Sequence, residues 1–249
     1  MEPPKNCIQF KTWGKYALFT DPLTKLGGER CSYHVPTYEA LKGIAKSIYW
    51  KPTLIWIIDK LRVMKPVRTQ TKGTKPLKFA TGGNDLAIYT YLVDVEYQVI
   101  AHFEWNLHRD ELKDDRVDGK HFQIAQRMLE RGGRQDIFLG TRDCQGYAEP
   151  CEFGEGKGHY DDGKELNFGL MFHGFDYPDE TGKDELVTRF WRPVMRDGII
   201  VFDRPEHCPV RKLVRPMQSK QFGVNNNLGP VAKEYEELIN QIGVEDDTL

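Results

Sequence analysis

The sequence lacks a long apolar run and a set of paired cysteines, and each absence excludes a class of protein. Its longest unbroken apolar stretch, at residues 54–58, has five residues, whereas a membrane-spanning helix needs about 20. The first residues contain no apolar run, so we expect no signal peptide and no membrane partner. Five cysteines spread along the chain indicate a reducing compartment rather than a disulfide framework. We therefore expect a cytoplasmic protein.

Serine is also scarce, and the familiar catalytic and nucleotide-binding motifs are missing. None of the three serines, Ser32, Ser47 and Ser219, lies in a nucleophile elbow, which argues against a serine hydrolase. Residues 158–164 imitate the spacing of a phosphate-binding loop, but Glu165 stands where a magnesium-binding Ser or Thr belongs. A zinc site could be assembled from Cys144, Cys151, His159 and His173, yet their spacing matches no standard zinc motif, and free buried cysteines are the better interpretation. We predict no metal and no cofactor.

What the chain does contain is a normal globular composition with an uneven distribution of charge. Of its 249 residues, 39% are hydrophobic and 12% are aromatic, enough for a substantial core. The 35 basic and 37 acidic residues nearly balance, but residues 51–80 contain eight basic residues and one acidic residue. Such a local stripe can bind phosphates whatever the net charge. The pattern is explained equally well if these basic residues are simply exposed to solvent and bind no ligand.

Hydrophobic periodicity predicts six elements in the first 148 residues. Strands are expected at 7–19, with a break at Gly14, and at 53–63, 95–107 and 135–139, and helices after the N-cap residues Thr37 and Asp118. The basic stretch 65–84, with its prolines and glycines, reads as a long loop or an extended hairpin. Strand and helix thus alternate in a βαββαβ order, which is that of ferredoxin-like (RRM-like) folds.

The second part of the chain has a different pattern, with short strands and frequent turns. Strands are expected within 166–177, 186–195 and 199–202, with a hairpin at Asp197-Gly198, and a terminal amphipathic helix over 231–242. We therefore predict an α+β protein: a ferredoxin-like domain at 1–148 with a long basic insertion, then a small antiparallel β region at 149–249.

This topology brings two distant segments together. The hairpin between the second and third strands makes the two helices antiparallel on one face of the sheet, so the end of the first helix meets the start of the second. Tyr49 and the pair Lys120-His121 then become neighbours. An anion is favoured there by the free N–H groups and the dipole of the second helix, and the imidazole could transfer protons. A purely structural role remains open, because the helical spacing places His121 on the same inward-facing stripe as Ile124 and Ala125.

Seven sequence blocks, in this order, resemble one family. They are residues 16–25 (YALFTDPLTK), 35–44 (VPTYEALKGI), 47–52 (SIYWKP), 119–121 (GKH), 136–140 (DIFLG), 144–147 (CQGY) and 173–182 (HGFDYPDETG). The family is that of the Cas5 proteins of type I-C (Dvulg) CRISPR systems, and the resemblance covers residues 7–220.

The resemblance implies a metal-independent endoribonuclease that cuts CRISPR repeat RNA beside its stem-loop. Such an enzyme stays on the crRNA 5′ handle as a subunit of the type I-C Cascade complex, where its partners are that RNA and the backbone and large subunits. The family's catalytic tyrosine, lysine and histidine fall on Tyr49, Lys120 and His121. In related subtypes this subunit only clamps RNA, so a non-catalytic assembly subunit is the alternative.

Without a metal, the available nucleophile in RNA is the 2′-hydroxyl beside the scissile phosphate, which yields a 2′,3′-cyclic phosphate. We expect an open pocket in which Lys120 stabilises the phosphorane, His121 transfers protons and Tyr49 orients or helps to deprotonate the hydroxyl. Phosphate contacts to the RNA are assigned to basic residues of the insertion and its flank, although many could simply face solvent. These residues are Lys51, Arg62, Lys65, Arg68, Lys72, Lys75 and Lys78.

Overall fold

A 19-residue strand is the longest element of the computed structural model, which describes residues 6–27, 29–78 and 81–219. The strands are β1 (Cys7–Ala17), β2 (Arg30–Cys31), β3 (Leu54–Val63), β4 (Thr69–Thr74), β5 (Ala87–Trp105), β6 (Ile137–Phe138), β7 (Gln145–Pro150), β8 (Glu165–Asn167), β9 (Met171–Asp176), β10 (Glu185–Trp191), β11 (Val194–Arg196), β12 (Ile199–Val201) and β13 (Val210–Pro216). The helices are α1 (Tyr38–Ile48), α2 (Lys120–Glu130) and α3 (Pro178–Thr181), with 3₁₀ turns at Thr24–Gly27, Asp110–Asp115 and Pro205–His207.

Two sheets, which are largely antiparallel, hold all thirteen of these strands. The larger has ten strands in the order β6-β7-β1-β5-β3-β12-β11-β8, with β2 and β4 also paired to β5. All of its pairings are antiparallel except that between β2 and β5. The smaller sheet has the order β13-β10-β9. The protein is therefore rich in sheet and poor in helix, which confirms a mixed fold with antiparallel sheets.

Strand β5 is long because it pairs with different partners along its length. Its first residues pair with β4, its middle with β1 and its end with β3. The pairing of β4 with β5 decides between the two interpretations of residues 65–84: the basic insertion is an extended hairpin. In β1 the buried residues alternate with partly exposed ones, which is the pattern of a strand with one face on the core.

The two longer helices pack against strands of the larger sheet and contact each other, and their starts differ. Thr37 caps α1 as predicted, because its side chain accepts a hydrogen bond from the N–H of Ala40. The predicted cap of α2 was Asp118, but the cap residue is Gly119, with φ of 76° and no side-chain hydrogen bond. Glycine adopts this left-handed backbone without steric cost, so the chain turns into α2 one residue later than predicted.

The fourth strand is present but shorter than predicted. Of residues 135–139, only Ile137–Phe138 form a strand, and the neighbour of β1 is β7. Gly14 of β1 explains part of this arrangement, because a Cβ there would lie 2.9 Å from the carbonyl oxygen of Gln145. Glycine thus permits the close approach of the β6–β7 hairpin, and β1 continues through it without a break.

The C-terminal strands join both sheets. The predicted hairpin at Asp197-Gly198 is present between β11 and β12, and both turn residues have positive φ, 49° and 73°, as a two-residue hairpin turn requires. Strand β12 pairs with β3, so the larger sheet contains strands from both sides of residue 148.

The ferredoxin-like assignment of residues 1–148 and the division of the chain at residue 148 stay predictions. The predicted terminal helix at 231–242 lies outside the described residues. Within the described part of the chain, no helix has the length and apolar character needed to cross a membrane.

Candidate active site

Tyr49 and His121 form the centre of the candidate site. Tyr49 directly follows α1 in an extended conformation, with φ of −157°, and its carbonyl accepts a 2.7 Å hydrogen bond from Nε1 of Trp56. His121 lies in the first turn of α2. The phenol oxygen of Tyr49 is 2.8 Å from Nδ1 of His121. The structure therefore brings these two residues together, as the order of the elements implied.

The second ring nitrogen of His121 identifies the tautomer. Its Nε2 lies 2.7 Å from the backbone carbonyl oxygen of Asp115. A carbonyl oxygen can only accept a hydrogen bond, so Nε2 carries a proton. In the neutral imidazole Nδ1 is then the acceptor, and the Tyr49 hydroxyl donates to it. The three groups form a chain that runs from phenol to imidazole to carbonyl.

The open pocket expected from the sequence is not what the structure shows. The His121 residue is 1% exposed and Tyr49 is 2% exposed. The rings of Trp105 and Phe103 pack edge-on against the imidazole, with centroids at 5.5 and 6.5 Å. The expectation fails because the segment between β5 and α2, which contains Asp115, lies over the ring. In this arrangement an RNA phosphate cannot reach either group.

Lys120 is exposed, but its ammonium group is already paired. Its Nζ lies 2.6 Å from Oδ1 of Asp115, and Oδ2 of the same carboxylate accepts a 2.8 Å hydrogen bond from the Thr53 hydroxyl. The hydrogen bond from Lys120 is the main cause of a lowered pKa of Asp115, so the carboxylate stays ionised. Asp115 therefore contacts Lys120 through its side chain and His121 through its backbone carbonyl, and its Oδ2 also lies 3.5 Å from Nε2 of His121.

Sequence reasoning missed Asp115. The signal available was an acidic residue five positions before Lys120, within the run of charged residues 109–116. Nothing in that run distinguishes Asp115 from its neighbour Asp114, because the distinction depends on Thr53, which lies 62 residues earlier.

The Tyr49 phenol keeps its proton. Burial raises the pKa of Tyr49, and the negative charge of Asp115 adds to this effect, while the positive charge of Arg134 opposes it. A phenol in these surroundings is a hydrogen-bond donor rather than a base. In this geometry, Tyr49 is suited to hold the imidazole in one tautomer.

A cavity of about 500 Å³ adjoins the start of α2. Trp105 lines it and also contacts the His121 ring. The other lining residues are Asn6, Phe103, Glu104, Asp118 and Gly119. The rings of Trp105 and Phe103 therefore separate the covered imidazole from this cavity.

Most of the basic residues assigned to RNA binding lie at the surface. Lys65 and Arg68 both pair with Asp94, at 2.8 and 2.9 Å, and Nζ of Lys72 lies 3.2 Å from the ring centroid of Tyr16. Lys78 is 3.8 Å from Asp85. Lys51 and Lys75 are exposed.

Arg62 is different from the rest of this set. It is 5% exposed, and its guanidinium donates to Gln98, to Asp161 and to the carbonyls of Glu155 and Gly156. These bonds tie β3 to the segment after β7. Its assignment as a phosphate contact is therefore replaced by a structural role.

The four residues considered for a zinc site do not gather around one point. Among the described residues, no group of three or more His, Cys, Asp or Glu side chains is arranged to hold a metal ion. His173 instead stacks on Tyr38, with centroids 4.1 Å apart.

Comparisons with known proteins give one consistent result. The family model described as "CRISPR-associated protein (Cas_Cas5)", of the Cas5d group, matches residues 7–203. Two curated proteins named CRISPR pre-crRNA endoribonuclease Cas5d are similar to the chain. The one from Thermus thermophilus is 29% identical over 196 residues, which are 75% of this chain and 80% of that protein. The one from Mannheimia succiniciproducens is 47% identical over 66 residues, 26% of this chain and 28% of that protein.

Solved structures agree with this assignment. A structure described as a CRISPR-associated protein is 32% identical and has a TM-score of 0.69, with 83% of this chain and 96% of that chain covered. A functionally uncharacterized protein of Streptococcus mutans is 35% identical, with the same TM-score of 0.69 and the same coverage.

Proposed function

This chain belongs to the Cas5d family of CRISPR-associated proteins, the Cas5 proteins of type I-C systems, and we propose that it is a pre-crRNA endoribonuclease. It cuts CRISPR repeat RNA beside the stem-loop and stays on the 5′ handle as a subunit of the interference complex. The observation that carries the proposal is the 2.8 Å hydrogen bond between Tyr49 and His121, next to the Lys120 ammonium. The names of the two curated relatives support the same activity.

The proposed reaction is attack of the 2′-hydroxyl on the adjacent phosphate. The 2′-oxygen forms a bond to phosphorus, the bond to the 5′-oxygen breaks, and the products are a 2′,3′-cyclic phosphate and a 5′-hydroxyl. Water accepts the proton of the attacking 2′-hydroxyl, His121 donates the Nε2 proton to the departing 5′-oxygen, and Nε2 is reprotonated from solvent afterwards. Tyr49 holds Nδ1 as an acceptor, which keeps that proton on Nε2. Lys120 stabilises the additional negative charge on the phosphorane.

This reaction requires the segment over His121 to move. The carbonyl of Asp115 accepts a hydrogen bond from Nε2 of His121, and its carboxylate forms an ion pair with Lys120. The two groups that contact the phosphate in the proposed mechanism, the imidazole and the ammonium, are therefore both bound to Asp115. A bound phosphate would compete for the same two partners. We infer that RNA binding displaces residues 110–119 from α2.

The RNA contacts that we retain are the surface residues of the insertion and its flank. Each supplies a positive charge that can neutralise a phosphate, and the affinity should fall steeply with added salt. They are Lys51, Lys65, Arg68, Lys72, Lys75 and Lys78.

The burial of Tyr49 and His121 favours a second candidate function. A protein whose imidazole stays covered would bind the crRNA handle without cutting it, as a non-catalytic assembly subunit. Its charged surface would serve RNA binding in the same way, so binding alone does not separate the two functions.

Incubation with repeat RNA in the presence of EDTA separates them. The endoribonuclease yields discrete fragments that end in a 2′,3′-cyclic phosphate, because the 2′-hydroxyl is the nucleophile. A repeat RNA with 2′-deoxyribose at the scissile nucleotide should stay intact. The assembly subunit gives a shifted band of uncut RNA.

Two variants make the assay specific. His121→Ala should nearly abolish cutting and retain RNA binding, whereas His34→Ala, which changes an exposed histidine outside the candidate site, should cut normally. Full inhibition of the wild-type protein by EDTA, or unchanged cutting by His121→Ala, would contradict the proposed mechanism.

A further inference from the structure

A groove of about 830 Å³ lies at the β6 edge of the larger sheet. It is formed by the turn after α2, by the β6–β7 hairpin and by Trp13 of β1. Among the lining residues, three are arginines and one, Asp136, is acidic. We call it the arginine groove and define it by Trp13, Arg131, Arg134, Arg142 and Tyr147.

The three arginines are available for a ligand. Each side chain is exposed, and within the described ranges none of them makes an ion pair with a carboxylate. In the basic insertion at residues 65–84, by contrast, Lys65 and Arg68 both form ion pairs with Asp94. A phosphate entering the arginine groove would not have to displace a carboxylate.

Aromatic rings form another wall of the groove. Trp13 and Tyr147 are register partners on β1 and β7, and their ring centroids are 5.8 Å apart at an interplanar angle of 31°. Tyr147 is 54% exposed, so its ring is accessible to a ligand in the groove. An exposed ring flanked by guanidinium groups is the combination on which unpaired bases stack.

The position of the groove connects it to the candidate active site. After α2, Gly132 and Gly133 turn the chain with φ of 85° and 116°. The N–H of Arg134 then lies 3.1 Å from the carbonyl oxygens of Ser47 and Ile48, the last residues of α1. The next residue is Tyr49, and the charge of Arg134 acts on its phenol. The groove therefore begins at the backbone that carries Tyr49.

We propose that the arginine groove binds an unpaired segment of RNA next to the cleaved phosphate. The proposal rests on the proposed endoribonuclease function and adds the substrate's single-stranded flank to it. Arginine side chains neutralise the phosphates, and Tyr147 stacks on a base. A duplex is excluded from this role because its bases are already stacked and its edges alone face outward, so Tyr147 would have no partner.

Two fluorescently labelled RNAs test the assignment by anisotropy. One is a short single strand with the sequence of the repeat's unpaired flank, and the other is the repeat stem-loop without flanks. Both are titrated at several salt concentrations with the full-length protein. The test variant is Arg131→Ala/Arg134→Ala/Arg142→Ala, and its matched control, Arg192→Ala/Lys212→Ala/Arg215→Ala, removes the same charge from exposed positions outside the arginine groove.

The arginine groove predicts a loss confined to the single strand. The test variant should bind it at least tenfold more weakly, and the slope of log K against log salt should fall by about 2, at about 0.7 for each phosphate contact. Tyr147→Ala should weaken the single strand roughly tenfold through lost stacking, whereas Tyr147→Phe should bind normally. The test variant and Tyr147→Ala should bind the stem-loop with wild-type affinity. The control variant should bind the single strand with wild-type affinity.

Other results overturn the assignment. They are wild-type affinity and slope in the test variant, an equal loss on the stem-loop, or a wild-type protein that does not bind the single strand. The proposed function fails separately: a protein that binds the single strand through the arginine groove but leaves repeat RNA uncut supports the groove and contradicts the endoribonuclease. Thermal melting of each variant shows that it is folded.

Discussion

The hydroxyl of Tyr49 donates to Nδ1 of His121 at 2.8 Å, although the two residues are 72 positions apart. The bond links the residue that follows α1 to the first turn of α2. It also fixes the tautomer of the imidazole, because Nδ1 accepts a hydrogen bond and Nε2 donates one. This relation makes Tyr49 a positioning residue for His121 in the proposed reaction.

Tyr49→Phe should therefore impair cutting and leave RNA binding intact. The ring keeps its packing, but the imidazole loses the donor that fixes its tautomer. We expect a decrease in the cleavage rate of the order of 10²–10⁴, comparable with that of His121→Ala. Single-turnover kinetics on repeat RNA measure the rate, and anisotropy measures the affinity.

The double variant tests whether the pair acts as a unit. Tyr49→Phe/His121→Ala should be about as slow as His121→Ala alone, because positioning has no effect without the imidazole. Losses that multiply would show that Tyr49 acts on the RNA independently of His121.

Asp115→Asn should make RNA binding to the candidate site easier. The amide keeps the shape of the side chain but no longer attracts the Lys120 ammonium, which becomes free for a phosphate. Because partly exposed ion pairs contribute up to about 1 kcal/mol, we expect the KM for repeat RNA to fall roughly two- to fivefold with little change in kcat. Asp114→Asn removes the same charge from the adjacent exposed position and serves as the control. A raised KM in Asp115→Asn would mean that the carboxylate assists RNA binding.

His173 should make the fold sensitive to acid. Burial, aided by the charge of Arg189, lowers the pKa of His173 to about 3, whereas an unfolded histidine titrates near 6.5. Between these values the unfolded chain binds a proton that the folded protein does not, so the free energy of unfolding falls as the pH falls. The contribution is about 1.4 kcal/mol per pH unit within this window.

Urea unfolding between pH 7 and pH 4 measures this effect. His173→Gln should show a shallower pH dependence than the wild type, because glutamine does not titrate. His159→Gln, at an exposed position, should keep the wild-type slope. Equal slopes in the wild type and His173→Gln would show that the folded protein protonates His173 readily.

Asp176→Asn should destabilise the protein strongly. Asp176 pairs with Arg189, and the two side chains are 7% and 2% exposed; Arg211 pairs with the same carboxylate. Removal of the charge leaves the Arg189 guanidinium buried and uncompensated, which costs about 3–5 kcal/mol. Urea unfolding at pH 7 measures it. Glu165→Gln breaks an exposed ion pair with Arg196 and should change the free energy of unfolding by less than about 1 kcal/mol.

Local patterns in the sequence were sufficient for most elements. The cap and periodicity of α1, the strand β3 and the turn at Asp197-Gly198 depend on residues that are adjacent or one helical turn apart, so the sequence predicts them directly. The start of α2 was predicted one residue too early, and the fourth strand was predicted too long. In both cases a glycine, Gly119 or Gly14, permits a backbone path that hydrophobic periodicity does not record.

Chain order and periodicity alone determined that the ends of the two helices meet, and thereby that Tyr49 and His121 are neighbours. Only the tertiary structure decided that the imidazole is covered, that Asp115 engages Lys120 and that Arg62 is bound to Asp161, 99 residues away. The arginine groove also emerged only there, since its walls come from β1, the turn after α2 and the β6–β7 hairpin. Burial and side-chain partners depend on segments that are distant in sequence, and a residue's type and neighbours carry no record of them.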